Sequence, residues 1–208
     1  LGQVLKAKEI IKEDKTEKRD VANIVFMGQG EPLHNFDAIK EALNIITEPS
    51  GLGLSRKNIT LSTSGYLPGL KRFMELGGIN LALSLHSTKD EVRSKLIPIN
   101  NRYPLKDVLE EIQTIALGRK QTVEYEYLLI KDLNDSKEDA LELAETLSDR
   151  THMINIIPFN PFPGSEFKRP DASRVEEFKN WLVEAKARVM VRKVKGDDIL
   201  AACGQLKS

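Results

Sequence analysis

Cysteine is nearly missing from this sequence: a single thiol, Cys203, occurs in 208 residues. One thiol excludes an internal disulfide and any multi-thiolate metal site built by this chain alone, so a working Cys203 must be reactive, gating or exchanging with another chain. A surplus of charge is missing too. The 31 Lys and Arg residues balance 31 Asp and Glu, which excludes a global field that recruits polyanions, although a local basic groove stays compatible with a neutral whole. No run of about 20 apolar residues occurs and no charged-then-apolar leader, so neither a membrane span nor a signal peptide is expected. Low cysteine suits a reducing compartment, and the expected location is cytoplasmic, or organellar in a eukaryote.

What is present is enough apolar material, 40% of residues, for one sizeable core in one domain. Six short apolar runs read as strands: Ala22 to Met27, Asn58 to Ser62, Ile79 to Leu85, Thr122 to Ile130, Met153 to Ile157 and Arg188 to Val194. Between them, apolar residues recur three and four apart, as in Ile39, Leu43 and Ile46, in Val108, Ile112 and Ile115, in Leu141, Ala144 and Leu147, and in Val175, Phe178 and Leu182. Strands alternating with amphipathic helices predict an α/β fold with a parallel sheet or barrel. Asp135 or Ser136 is placed to open the helix around Leu141, and Asp171 or Ser173 the helix around Phe178. Two proline-rich stretches, Ile97 to Pro104 and Pro158 to Pro170, are expected to be ordered loops at a sheet edge. Leu1 to Ile11 reads as a helix, so the chain is expected to open in the middle of an α/β unit and to be a fragment.

Each polar cluster follows an apolar strand, where α/β folds place their ligands. Gly28-Gln29-Gly30-Glu31-Pro32-Leu33 follows the first. Its glycines admit a ligand to the backbone, and Glu31 can accept from an ammonium or hydroxyl, or simply be a solvated acid on a tight turn. The further glycine of a dinucleotide fingerprint is missing. Ser62-Thr63-Ser64-Gly65 offers hydroxyls for a carboxylate or ribose, or a hydroxyl-capped turn. Ser84-Leu85-His86 follows the third strand, with Ser84 and His86 on one face by alternation. Glu124 and Glu126 share one face of an otherwise apolar strand and must be pocket or edge residues. Asn160, in the proline-rich run after the fifth strand, carries the donor and acceptor pair that suits an adenine or carboxylate. Together these describe a polar floor for a nucleoside or amino-acid ligand.

Five runs in order carry a resemblance: Gly28 to Leu33, Leu61 to Gly65, Ser84 to His86, Ile157 to Gly164, and Arg192 to Asp198 continuing through Ala201 to Leu206. They are similar to the dual-specificity RNA adenine-C2 methyltransferases of the radical S-adenosylmethionine (SAM) superfamily. The resemblance covers essentially all 208 residues. It implies a partial (β/α)6 barrel lacking its first strand, spanning 1–208 and ending in a catalytic-cysteine segment at 196–208. It implies SAM and a [4Fe-4S] cluster as cofactors, an electron donor such as flavodoxin, no membrane partner, and a monomer. By the same resemblance, one SAM methylates Cys203 and a second is cleaved to a radical that activates that methyl group, which adds to C2 of adenosine in 23S rRNA and tRNA. Gly30 and Glu31 resemble the residues that hold the SAM amino group. Ser62 resembles the contact to its carboxylate or ribose, Ser84, Leu85 and His86 the next SAM-contacting segment, and Asn160 the contact near adenine. The chain departs from the family in lacking the Cys-x3-Cys-x2-Cys cluster motif, an N-terminal RNA-binding domain, a partner cysteine and an upstream acid. Gln29 stands where many members have methionine. The isolated 208 residues are therefore expected to be inactive, with the cluster ligands in the parent protein. A C8-methylating enzyme shares most of these motifs, though the Gly30-Glu31-Pro32 form leans toward C2; a non-catalytic SAM-binding fragment is the other alternative.

Overall fold

The computed structural model describes residues 1–13, 20–116, 118, 123–148 and 152–192. Six strands, β1 (Ile24–Phe26), β2 (Ile59–Thr63), β3 (Asn80–Ser84), β4 (Val123–Leu129), β5 (His152–Pro158) and β6 (Val189–Val191), coincide with the six apolar runs. All neighbouring pairs are parallel and the spatial order is the chain order. Helices fill the crossovers: α2 (Phe36–Thr47), α3 (Leu67–Leu70), α4 (Asp90–Leu96), α5 (Leu105–Thr114), α6 (Lys137–Thr146) and α7 (Ala172–Glu184), with α1 (Gly2–Glu13) ahead of β1. A parallel sheet wound in one direction, with crossovers of one hand, collects its helices on one face. The result is a radical-SAM-type α/β fold, a partial barrel whose other face is left open.

Strand parity separates the two faces. Leu83, Tyr125 and Ile154 are paired across β3 to β5 and, with Leu61 and Leu81 paired between β2 and β3, are all 1% exposed or less. They belong to the core that also holds Leu43, Val108, Leu143 and Phe178, and Tyr127 stacks on Phe178 of α7 at 5.2 Å. The opposite parity aligns Ser84, Glu126, Asn155 and Met190 in one row across β3 to β6, so the concave face carries the polar residues.

Local signals set most of the helix boundaries. Ser136 caps α6 by accepting from the Asp139 amide, while the Asp139 carboxylate takes the Ser136 amide, a reciprocal pair that satisfies two otherwise orphaned donors. Asp171 occupies the cap position of α7 without a side-chain cap bond, because Lys131 takes its carboxylate at 2.9 Å. On α6 the buried stripe is Ala140, Leu143, Ala144 and Leu147, and Leu141 is 46% exposed. Ala144 and Leu147 are buried as their spacing predicts, and Leu141 alone of the three faces outward, its place in the core taken by Ala140 and Leu143. The proline-rich 97–104 stretch links α4 to α5 through a 3-10 turn, Pro98–Asn101, instead of edging the sheet.

Candidate functional site

The cleft of about 750 Å³ at the carboxyl ends of the strands is lined by Gly28 to Pro32, Ser62 to Ser64, Ser84, His86, Glu126, Phe159 and Arg192, among others. Its volume falls within the range of about 300–1,000 Å³ usual for small-molecule sites. Of the residues singled out from sequence, Gly30, Glu31, Ser62, Ser84 and His86 converge on it. Leu85 and Asn160 are not part of its wall. Leu85 is fully buried in the core, its amide donating to the Glu126 carbonyl at 2.9 Å. Asn160 is 4% exposed, and its Oδ1 accepts from Arg169 at 3.4 Å. Cys203 and the motif around it lie outside the described residues.

Glu31 joins the first two loops. It caps a 3-10 turn, Pro32–Asn35, that begins on proline, where no amide donor is needed. Its Oε1 accepts from the Leu33 amide and Thr63 Oγ1, both at 3.0 Å. Its Oε2 accepts from the Ser64 amide at 2.7 Å and Ser64 Oγ at 2.6 Å. Four donors thus saturate a carboxylate at the mouth of the cleft, and its negative charge remains available to a cation. Just before it, Gly30 has a φ of +80°, a conformation glycine adopts freely, and a Cβ there would meet nothing within 4 Å. The backbone is open to a ligand at this point.

Deeper in the cleft, Glu126 is 5% exposed. Ser62 Oγ donates to its Oε2 at 3.0 Å, and Arg192 Nη1 lies 3.7 Å from Oε1. Burial pushes the Glu126 carboxyl above the usual carboxylate range, against the opposing pull of Ser62 and Arg192. Beside it in the sheet, buried Asn155 Oδ1 has no hydrogen-bond partner among the described residues.

β3 ends at Ser84, and His86 sits beyond it in a left-handed turn with φ +60°. Strand alternation therefore does not aim this ring; the turn does. Asn134, fully buried, holds the turn by donating to the carbonyls of His86 and Leu128, both at 2.7 Å. His86 Nδ1 lies 3.0 Å from the Glu126 carbonyl and 3.1 Å from the Leu128 amide, so this one nitrogen meets both an acceptor and a donor and the ring is held from that side by either tautomer. Burial lowers the His86 pKa to about 4, which makes it a neutral imidazole at pH 7.

Beneath the floor lies Arg93, fully buried on α4. It donates to the carbonyls of Ser64 at 2.9 Å, Ser84 at 3.1 Å and Leu85 at 3.1 Å, and to Asn100 Oδ1. Burial lowers its pKa to about 10, still charged at neutral pH. One side chain thus fixes the ends of two strands. Its helical position resembles any solvated arginine in the sequence, and Glu126 was identified there only as a pocket or edge acid.

A sequence model of the radical SAM superfamily matches residues 3–144. The chain is 43% identical over its whole length to the dual-specificity RNA methyltransferase RlmN of Rhodopseudomonas palustris strain TIE-1, of which it covers 54%. It is 48% identical over 92% of its length to the protein of the same name from Rhizobium johnstonii, covering 47% of that relative. It therefore spans about half the length of the curated relatives it matches. Among solved structures, a radical SAM methyltransferase from Sphaerobacter thermophilus superposes with a TM-score of 0.91 at 37% identity, over 99% of this chain and 60% of that one. The family model and the superposed fold agree, and the chain belongs to the radical SAM superfamily.

Proposed function

We propose that this chain is the core of an RNA methyltransferase that transfers a methyl group from SAM to C2 of adenosine in 23S rRNA and tRNA. The observation that carries the reading is the resemblance to RlmN proteins along the whole chain at 42–48% identity, with the family's motifs gathered around one polar cleft. SAM fits this cleft on two counts, its volume and the open backbone at Gly30. When bound, SAM supplies the methyl group and the adenosyl group from which the radical is made. Glu31 attracts the ammonium, and Gly30 lets the ligand approach the backbone. Ser62 and Ser84 meet polar groups of the nucleoside, and His86 keeps a neutral ring. Leu85 acts from the core by setting the path of this segment, and Asn160 from behind the wall, in the region assigned to adenine.

Cys203 is the methyl acceptor. Its thiolate is a competent nucleophile toward a sulfonium methyl, whereas adenine C2 is electron-poor and offers no nucleophile for direct transfer. A [4Fe-4S] cluster does not fit the residues of this chain. It has one cysteine, and among the described residues no group of three His, Cys, Asp or Glu could hold a metal ion. The cluster's ligands belong to the parent protein, as does the docking site for a one-electron donor such as flavodoxin. Among the described residues, no helix is long and apolar enough to cross a membrane.

The test uses the full-length protein with its cluster reconstituted. RNA it has methylated is digested to nucleosides and weighed by mass spectrometry; 2-methyladenosine is expected, and 8-methyladenosine or none refutes the reading. Cys203→Ala should abolish methylation and leave SAM binding intact, and substantial C2 methylation by that variant excludes the methylcysteine route.

A further inference from the structure

Ser64 is gripped from two sides. Its amide and hydroxyl donate to Glu31 Oε2 at 2.7 and 2.6 Å, and its carbonyl accepts from Arg93 Nη2 at 2.9 Å. Next to it, Thr63 Oγ1 donates to Glu31 Oε1 at 3.0 Å and accepts from the Gly65 amide at 3.1 Å. Three of the four donors on the Glu31 carboxylate therefore come from Thr63 and Ser64, and the carbonyl that ends this pair is held by Arg93. The same Nη2 also donates to the Ser84 carbonyl at 3.1 Å, and Nε reaches the Leu85 carbonyl at 3.1 Å. One planar group thus sets the spacing between the loops after β2 and β3. Its own place is braced. Nη1 donates to Asn100 Oδ1, and the Asn100 amide donates to Asp90 Oδ1 and Ser94 Oγ, both at 2.9 Å. The packing around it is close, for a Cβ at Gly65 would stand 3.1 Å from Val108 and 3.5 Å from Arg93 Nη2.

We propose that Arg93 is a positioning residue for ligand recognition: from beneath the cleft floor it holds Ser64, and through Ser64 it aims the Glu31 carboxylate at the ammonium of SAM. The inference rests on the SAM reading above and adds to it a residue that touches no ligand, being fully buried on α4 and absent from the cleft wall. Glu31 is only partly buried, so its direction is set by the donors around it more than by packing. Without Arg93 the buried Ser64 carbonyl must find another donor. A peptide that turns to do so carries the Ser64 amide and hydroxyl away from Oε2. A single amine cannot stand in for the guanidinium, whose coplanar fork serves three carbonyls and Asn100 at once. The charge of Arg93 also acts on the cleft, together with Glu31, Glu126 and Arg192. Geometry is therefore isolated by a variant that keeps a cation at this position.

The test measures, by calorimetry on the full-length, cluster-loaded protein, the affinities for SAM and for its deaminated analogue, in which hydrogen replaces the ammonium. Their ratio reads the ammonium contact alone. The unaltered protein should favour SAM by about tenfold or more, the worth of one charge-assisted bond. Arg93→Lys keeps a cation but loses the fork, so the ratio should fall to about threefold or less. Asn100→Ala removes the brace and leaves the arginine; it should lower the ratio part of the way, and it decides the question if Arg93→Lys does not fold. Ser136→Ala, which loses the α6 cap and none of these bonds, should keep the ratio of the unaltered protein. An unchanged ratio in folded Arg93→Lys, or in Asn100→Ala where the lysine variant does not fold, makes Arg93 a strut of the fold and overturns its positioning role while SAM binding stands. A fall in Ser136→Ala as large as in Arg93→Lys also overturns it, because lost stability alone would then explain the effect. An unaltered protein that binds both ligands equally removes the ammonium contact at Glu31 and this inference with it; one that binds neither removes the proposed function.

Discussion

Replacing Glu31 by alanine separates two roles that meet in one carboxylate. The side chain receives four hydrogen bonds, from the Leu33 amide, Thr63 Oγ1, the Ser64 amide and Ser64 Oγ. Bonds to a charged acceptor contribute roughly 1.5–3 kcal/mol each in favourable settings, but this residue is only partly buried and the freed donors regain water. The expected loss of stability for Glu31→Ala is therefore about 2–4 kcal/mol, well short of the simple sum. Loss of the ammonium's ionic partner adds a separate penalty of roughly 1.5–3 kcal/mol on ligand affinity, on the order of 10- to 150-fold in Kd. Glu31→Gln divides the two effects. It keeps an oxygen for Leu33 and Thr63 but turns an amide NH2 toward the donors of Ser64, so its stability loss should be smaller, about 1–2 kcal/mol. Its affinity loss should approach that of alanine, because the charge has gone. Urea unfolding and SAM calorimetry on the full-length protein measure the two quantities. Unchanged stability in Glu31→Ala would refute the tether, and wild-type affinity in Glu31→Gln would refute the ionic contact.

Arg93→Met should cost about 3–5 kcal/mol in urea unfolding, since it strands three strand-end carbonyls and Asn100 in the interior; a loss below about 1 kcal/mol would show that these groups find other partners. His86 has a folded pKa, about 4, below the usual value of 6.5, so its contribution is fully present above pH 6.5 and lost as pH falls through 4. The full contribution is up to about 3 kcal/mol, and an NMR titration of the ring placing its pKa near 6.5 would contradict the buried neutral state. Ser136→Ala removes the α6 cap and should lower stability by about 1 kcal/mol, with faster amide exchange in the first turn of α6; unchanged exchange there would mean the cap contributes nothing.

The strands and most helices were legible because each obeys a local rule. Apolar runs of five to nine residues marked β1 to β6 within two residues at most ends, and the cap at Ser136 was visible as a residue type before an amphipathic stretch. Five of the residues expected to touch the ligand were brought together because each stands near the carboxyl end of a strand, within its last residues or in the loop beyond, where the topology of a parallel sheet gathers them. Less legible was anything decided by partners distant in the chain. Nothing local marks Arg93 as the residue that fixes Ser64, 29 positions away, or Glu126 as the acceptor of Ser62, 64 positions away. Asn160 shows the same dependence on a partner that no local pattern marks, its oxygen accepting from Arg169 at 3.4 Å. His86 was placed on the right wall through alternation, although a left-handed turn held by Asn134 sets its direction.

The parity of the strands also shapes how this protein tolerates change. Along β4, Tyr125, Tyr127 and Leu129 are 1% exposed or less within the core, while Glu126 and Leu128 between and beside them line the cleft. Neighbouring codons therefore answer to different constraints, one to the volume and shape of the helix layer, the next to the chemistry of the ligand. A substitution in the cleft-facing set can alter what is bound with little disturbance to the packing that keeps the sheet together. The same scaffold can thus be retuned toward another ligand or reaction one alternate residue at a time, without first rebuilding its core.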